Sequence, residues 1–155
     1  RIFGYVCSRV RTQQAAEDIT ATVFEKALRS QHSYDPKRGD FDAWLFQIAR
    51  NAIIDHHKAQ TRRPVQTDLK SAVHLATADP PLEQVMVKHE QHLALNQALE
   101  QLSERDKEII QLRFFGRLTN RKIAVLLAMK EKTVSVIIYR ALKKMKMEFE
   151  ARETE

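Results

Sequence analysis

Hydrophobic residues recur at three- and four-residue steps along the first third of the chain, a spacing that predicts amphipathic helices. Residues 1–11 form a short amphipathic segment, and longer helices are expected from about Gln14 to Ser30 and from about Asp40 to Ala59. The first of these longer helices is expected to bury Ile19, Val23, Phe24, Ala27 and Leu28, and the second to bury Phe41, Trp44, Leu45, Ile48, Ala49 and Ala52. The segment between them contains Asp-Pro and Gly, which favours a loop.

The helical pattern is interrupted in the middle of the chain. Residues 64–81 contain three prolines and no sustained period, which predicts a flexible linker. A further helix is expected to start near Leu82 and to end at Leu102, after which Ser103 caps the next helix. Gly116 is expected to end that helix.

The last third of the chain has the pattern of a helix-turn-helix. Thr119 is a good N-cap, Ala124 is small enough for a second helix to approach, and residues 128–130 have the length of the turn. The second helix is expected to bury Val134, Ile138, Ala141, Leu142 and Met145. Its opposite face carries Lys132, Ser135, Val136, Tyr139, Arg140 and Lys143, the arrangement of a helix that reads DNA.

Composition and charge favour an all-α, nucleic-acid-binding protein. Gly and Pro are few, the net charge is +6, and residues 113–146 hold ten basic residues and one acid. A strip so charged should bind DNA with a steep salt dependence. The alternative is a solvated basic helix pair in a bundle, but cap, turn and localised charge together favour DNA. The single cysteine, Cys7, excludes an internal disulfide and fits a reducing compartment.

The sequence lacks the common signatures of enzymes and metal sites. It contains no P-loop, no glycine-rich nucleotide loop and no HExxH motif. His56 and His57 are adjacent and His89 and His92 are three apart, but no convergent set of ligands is evident. We therefore expect no cofactor, no metal and no small-molecule substrate.

The N-terminal third carries a specific resemblance. AEDITATVFEKAL (residues 16–28) and YDPKRGDFDAWLFQIARNAIIDHHK (residues 34–58) resemble region two of bacterial sigma factors of the extracytoplasmic-function group. Residues 91–147, which include TVSVIIYRALKKMK, look like region four of the same family. The resemblance implies two small helical domains joined by a flexible linker: 1–62 as region two, 63–90 as the linker and the start of a helix, and 91–155 as region four.

The resemblance also implies partners and functional residues in region two. Such factors are cytoplasmic bacterial proteins that bring core RNA polymerase to promoter DNA, catalyse no reaction themselves and are commonly silenced by an anti-sigma factor. Polymerase binding would fall on Glu17, Asp18, Ala21 and Thr22, where the two last replace the usual Gln and Glu. The melted minus-ten strand would be bound by Tyr34, Asp35, Lys37, Arg38, Arg50, Asn51, Asp55 and His56. The alternative for the acidic pair is a helix first turn that favours the dipole, and the alternative for the loop is an ordinary Asp-Pro turn.

In region four, the resemblance implies reading of the minus-thirty-five duplex. The residues concerned are Lys132, Thr133, Ser135, Val136, Tyr139, Arg140 and Lys143. Val136 and Ile137 replace polar residues usual in the family, which would remove hydrogen bonding from the reading face. Val136 could still contact a thymine methyl group, and both residues could pack against a protein partner such as an anti-sigma factor.

Two other functions fit parts of the pattern. A helix-turn-helix regulator would bind palindromic duplex as a dimer without entering the polymerase, but it has no need for the segment DPKRGDFDAWLFQIARN. A protein-interaction module would use its basic face to bind an acidic protein. Binding to single-stranded minus-ten DNA separates the sigma interpretation from the first, and a pull-down without DNA separates it from the second.

Overall fold

The computed structural model describes residues 1–62, residue 95 and residues 97–153. The expected linker at 63–90 lies outside the described residues, as do the start of the helix near Leu82 and the histidines at 89 and 92. The described residues contain helices and no strand, which confirms the expected all-α class.

The first group of helices lies close to its expected bounds. It consists of α1 (Ile2–Arg9), α2 (Gln13–Arg29), a 3-10 turn (Gln31–Ser33) and α3 (Phe41–Thr61). The Thr12 hydroxyl accepts a hydrogen bond from the Ala15 amide and so caps α2. We call α1 to α3 the N-terminal group.

The second group begins with helical residues 97–100 and continues as α4 (Glu104–Phe114), α5 (Asn120–Leu126) and α6 (Glu131–Glu153). Both expected caps are confirmed, because the Ser103 hydroxyl accepts from the Asp106 amide and the Thr119 hydroxyl accepts from the Lys122 amide. We call this the C-terminal group.

The two groups share one hydrophobic core. Residues of α1 and α3, among them Tyr5, Phe46 and Ile53, belong to the same buried cluster as Leu112, Ile123 and other residues of α4 to α6. A second, smaller cluster holds Ala98, Leu99, Leu102, Ile110, Ala141 and Met145 and lies within the C-terminal group. The N-terminal group therefore packs directly on the C-terminal group, through α1 and α3 against α4 and α5.

Four residues expected in the core are exposed, and that expectation is wrong for them. Leu28 is 69% exposed, and Phe24, Phe41 and Leu142 also have much of their surface in solvent. The buried face of α2 is narrower than its apolar stripe, since Ala16, Ile19, Val23 and Ala27 fill it. Phe41 is the first residue of α3, and its ring lies against Tyr34 and Trp44 instead of the core.

Gly116 lies just past the end of α4, as expected, and a second constraint also requires a glycine there. Its φ angle is not positive, and the left-handed residue after α4 is Arg117, with φ 55°. A Cβ atom at Gly116 would lie 2.8 Å from Cε1 of Phe46 on α3. The residue is thus a glycine because the two helix groups approach closely there, although its amide also closes the helix end by donating to Gln111.

Candidate nucleic-acid interface

The C-terminal group contains the expected helix-turn-helix. Helix α5 ends at Leu126, α6 begins at Glu131, and the Met129 amide donates to the Ala124 carbonyl to close the turn between them. Ala128 in this turn has φ 52°, a left-handed conformation that a non-glycine residue adopts at some cost. Ala124 is buried between the helices, as expected for a small residue at their contact.

The outer face of α6 is open to solvent over its whole reading surface. All seven residues expected to contact the minus-thirty-five duplex are exposed, and Tyr139 is 68% exposed. The Ser135 hydroxyl is held in place, because it accepts from Asn120 Nδ2 at 3.0 Å and donates to the Glu131 carbonyl at 3.1 Å. A helix presenting these groups can enter a major groove.

Ile137 does not belong to this reading face. It is only 8% exposed and lies in the shared core, so the expectation that it affects DNA reading or contacts a protein partner is wrong. Val136 is exposed and is the apolar group that the reading face offers. A valine there can contact the methyl group of a thymine.

The loop after α2 presents charged groups that no other element covers. Asp35, Lys37 and Arg38 are exposed, and the Asp35 carboxylate accepts from the Lys37 amide at 2.9 Å. The Arg38 amide donates to the Asp35 carbonyl at 3.0 Å, which closes the expected Asp-Pro turn. The loop is thus a structured turn with free basic side chains.

An aromatic hollow lies beside this loop. The ring centroids of Tyr34, Phe41 and Trp44 lie 5.4 to 5.5 Å apart. Together with Phe24 and Leu28, these rings line a surface depression of about 250 Å³. Trp44 is half-buried here, so its expected place in the core is wrong. The large apolar residues left exposed on α2 and α3 form the walls of this hollow.

The four residues of α3 that were expected to face DNA do not share one open surface; they are Arg50, Asn51, Asp55 and His56. The Arg50 side chain turns toward the C-terminal group, where its Nε donates to Oε1 of Glu108 at 2.8 Å. Asn51 is exposed and accepts from Gln47, and Asp55 is exposed, 3.8 Å from Nζ of Lys26. His56 is half-buried. Only Asn51 and Asp55 are therefore fully open to a ligand in this arrangement.

The expected polymerase contact forms an exposed face on α2. Glu17, Asp18, Ala21 and Thr22 are all exposed, and Glu17 and Asp18 accept hydrogen bonds from Gln13 and Gln14 one turn earlier. Phe24 lies three residues after Ala21 and Leu28 four residues after Phe24, so this face continues along α2 into the hollow. The acidic surface and the apolar hollow are therefore adjacent on one helix.

Sequence reasoning missed the polar residues that join the two groups. Glu108 is only 8% exposed. Besides its hydrogen bonds from Arg50, it accepts one from the Tyr5 hydroxyl at 3.5 Å. Burial raises the pKa of Tyr5. Gln111 is buried, donates to the Ser8 carbonyl and accepts from Arg9 at 3.0 Å. The only signal was two polar residues inside the apolar run EIIQL, which does not identify partners so distant in sequence.

Neither a metal cluster nor a membrane span is found in the part of the chain that the structure covers. Among the described residues no three His, Cys, Asp or Glu side chains are grouped as a metal would need. Over the same residues, no helix combines the length and hydropathy needed to cross a bilayer.

Comparison with known proteins identifies the family. Residues 1–63 match the family model for Sigma-70 region 2, and residues 92–145 match that for Sigma-70, region 4. The ECF RNA polymerase sigma factor RpoE of Cereibacter sphaeroides is 33% identical over 121 residues, which is 78% of this chain and 61% of that protein. The RNA polymerase sigma-H factor of Pseudomonas aeruginosa is 30% identical over 150 residues, covering 91% of this chain and 76% of the relative.

A solved structure has the same fold. It is that of the sigma factor RpoE of Bartonella quintana in complex with the anti-sigma factor NepR, with a TM-score of 0.69 at 20% identity, covering 96% of this chain and 89% of that one. The chain spans 53%, 61% and 76% of the length of three of the curated relatives it matches. Both the matched regions and the relatives place it in one group: the chain belongs to the extracytoplasmic-function sigma factors of bacterial RNA polymerase.

Proposed function

We propose that the protein directs core RNA polymerase to specific promoters, with residues 1–62 capturing the melted minus-ten strand and residues 91–155 reading the minus-thirty-five duplex. The main support for this proposal is the exposed outer face of α6, in a chain that belongs to the sigma family. This face lies in segment 113–146, which holds ten basic residues and one acid. Residues 63–90 would link the two domains. The factor itself catalyses no reaction, and its work with polymerase places it in the cytoplasm.

Duplex reading would combine phosphate and base contacts. Arg140 and Lys143 suit phosphates, while Ser135, fixed by Asn120 and the α6 backbone, presents a hydroxyl toward base edges. Val136 would favour a thymine at the position it meets. Because several phosphates would be neutralised, binding should weaken steeply as salt is raised.

Strand capture would use the loop 34–40 and the outward face of α3. Lys37 and Arg38 offer positive charge for the backbone of a single strand, and the aromatic hollow offers ring faces for stacking. Asn51 can form two hydrogen bonds with a base edge. Asp55, held near Lys26, would position that lysine rather than contact DNA itself.

Polymerase would bind the exposed face of α2. The acidic Glu17 and Asp18 suit a basic surface, and the neighbouring Phe24 and Leu28 add apolar contact. An anti-sigma factor would compete for these surfaces, and binding such a partner would silence the protein.

Run-off transcription with purified bacterial core polymerase tests this function. Promoters would be selected from a random pool, and Asn51→Ala and Arg140→Ala compared with the wild type. Lys146→Ala is the matched control for Arg140, since it removes the same charge from the same helix outside the reading face. We expect factor-dependent transcripts that fade in both variants and persist in the control. If the protein binds duplex DNA but neither binds core polymerase nor supports transcription, it is instead a helix-turn-helix regulator.

A further inference from the structure

The hydroxyl group of Ser135, on the outer face of α6, is hydrogen-bonded to the protein in two directions. It donates its proton to the Glu131 carbonyl one turn earlier, with 3.1 Å between the two oxygens. It accepts a hydrogen bond from Nδ2 of Asn120 at 3.0 Å. A serine hydroxyl has one proton and two lone pairs, so these two bonds leave a single lone pair.

The remaining lone pair is open to a ligand. Ser135 is exposed and is the fifth residue of α6. In a helix-turn-helix, the N-terminal residues of the second helix contact base edges in the major groove. The group that Ser135 offers to such an edge is therefore an acceptor and not a donor.

Asn120 keeps the hydroxyl in this orientation. It is the first residue of α5, it is half-buried, and it reaches Ser135 across the turn between the two helices. A bond from serine to the carbonyl four residues earlier does not fix the side chain by itself, because other staggered rotamers lie within reach. With the Asn120 amide in place, leaving this rotamer would break two hydrogen bonds instead of one.

The polarity of the hydroxyl is the same whichever way the Asn120 amide is turned. With its oxygen toward Ser135, the amide would accept the hydroxyl proton that now goes to Glu131. Ser135 has no second proton, so in both arrangements only a lone pair remains for a base. The acceptor character thus follows from the two protein contacts together.

The major groove presents an amino donor at only two of the four bases. Adenine offers its N6 amino group and cytosine its N4 amino group, whereas guanine offers O6 and thymine O4 at the corresponding place. The Ser135 lone pair can accept from an amino group. Against a carbonyl oxygen it would bring two acceptors together and leave both without a hydrogen bond, which is unfavourable once water has been displaced.

We propose that Ser135 reads an amino group of adenine or cytosine in the minus-thirty-five duplex, and that Asn120 is the positioning residue that gives the Ser135 hydroxyl this polarity. This inference rests on the proposed function, because it assumes that the outer face of α6 enters the duplex. One position of the element would thus distinguish A or C from G or T on the strand that Ser135 contacts.

Val136 supplies an internal control on the same surface. It is the next residue of α6, it is 39% exposed, and its side chain has no polar group. Its contact with a thymine methyl group would depend on neither Asn120 nor the Ser135 proton. Changing Val136 should therefore alter a preference for thymine and leave the preference for an amino group intact.

The experiment starts from duplexes that the full chain selects from a random pool. Each A or C of the selected element is replaced in turn by an analogue without the major-groove amino group, 2-aminopurine for adenine or 2-pyrimidinone for cytosine. Each is also changed by a transition, A to G or C to T, which puts a carbonyl in place of the amino group. Fluorescence anisotropy measures binding by the wild type, Ser135→Ala, Asn120→Ala and Val136→Ala.

We expect one position at which the wild type binds the analogue about two- to tenfold more weakly, the effect of losing one neutral hydrogen bond. The transition there should weaken binding at least as much. At that position Ser135→Ala should bind the original and the analogue duplex equally. Asn120→Ala should lose most of the discrimination between amino and carbonyl bases, since its freed hydroxyl can donate as well as accept. Val136→Ala should keep both penalties.

Two results would overturn the proposal. The first is that no position has an analogue penalty that disappears in Ser135→Ala. The second is a transition penalty in Asn120→Ala equal to that of the wild type. A merely structural role of Asn120 would weaken binding to all duplexes alike and leave that ratio unchanged.

A measurement without DNA separates failure of this contact from failure of the proposed function. In the NMR spectrum of Ser135→Ala, the side-chain amide protons of Asn120 should shift and exchange faster with water. Those of Asn51, which accepts from Gln47 within α3, should not change. Unchanged Asn120 signals would refute the contact. A wild type that selects no duplex at all would refute duplex reading itself, even where the Asn120 signals confirm the contact.

Discussion

Replacing Gly116 by alanine tests the close approach of the two helix groups at that residue. The added methyl carbon would lie 2.7 Å from the Leu112 carbonyl oxygen and 2.8 Å from Cε1 of Phe46. Carbon atoms in favourable contact are about 3.5–4.0 Å apart, so the Phe46 ring would have to move by about 1 Å. That ring is only 1% exposed, so moving it also displaces the buried side chains packed around it.

The expected cost follows from these distances. Forcing an extra carbon into a packed interior costs about 1–3 kcal/mol. Alanine restricts the unfolded chain more than glycine does, which offsets about 0.4–1 kcal/mol of that cost. We expect Gly116→Ala to lower the free energy of unfolding by about 1–2 kcal/mol. Part of this cost comes from Phe46, so it should shrink in a Phe46→Leu background, whose smaller side chain leaves room for the methyl group.

Urea unfolding followed by circular dichroism measures this cost. Gly39→Ala is the matched control, because nothing lies within 4 Å of a Cβ atom there and its φ angle is not positive. The control should be neutral or slightly stabilising. Equal unfolding free energies for the two alanine variants would refute the close approach of the helix groups at Gly116, and an unchanged cost in the Phe46→Leu background would refute the role of the ring.

Four other substitutions have definite expected outcomes. Ala128→Gly relieves the left-handed conformation in the turn and should stabilise the protein by about 1 kcal/mol, as measured by thermal unfolding. Leu28→Ser should change stability by less than about 0.5 kcal/mol because the side chain is exposed, whereas Ile53→Ala should cost about 2–5 kcal/mol; similar urea midpoints for the two would contradict the assigned burial. The hydrogen bond from Lys122 lowers the pKa of Asp42, so Asp42 stabilises the fold above its unfolded pKa near 4, and this stabilisation is lost as the pH falls through its folded pKa. Asp42→Asn should therefore lose less stability than the wild type in acid, and parallel pH profiles would argue against the ion pair.

The elements that could be predicted from sequence are those specified by local chemistry. Ser103 and Thr119 cap helices because a hydroxyl there reaches an amide three residues on, which requires no knowledge of the rest of the fold. The helix-turn-helix follows from the same kind of signal. The seven residues expected on its reading face are all exposed, whereas Ile137 packs against the shared core.

The contacts between the two groups could not be predicted, because their partners are distant in sequence. Arg50 and Glu108 are 58 positions apart, and Ser8 and Gln111 are 103 apart. Nothing in a helical pattern specifies such pairs. The same limit explains Phe24 and Leu28, since an apolar stripe gives the direction of a buried face but not the width that neighbouring helices cover.

The aromatic hollow also provides an optical signal. Trp44 is the chain's single tryptophan, so indole fluorescence from the purified protein comes from this hollow alone. The ring is half-buried beside Tyr34 and Phe41, and anything that covers the hollow would remove water from it. A base stacked on the ring would quench its emission, whereas an apolar protein side chain would shift the emission to shorter wavelength. Unlabelled protein can therefore report both that the hollow is occupied and whether nucleic acid or protein occupies it.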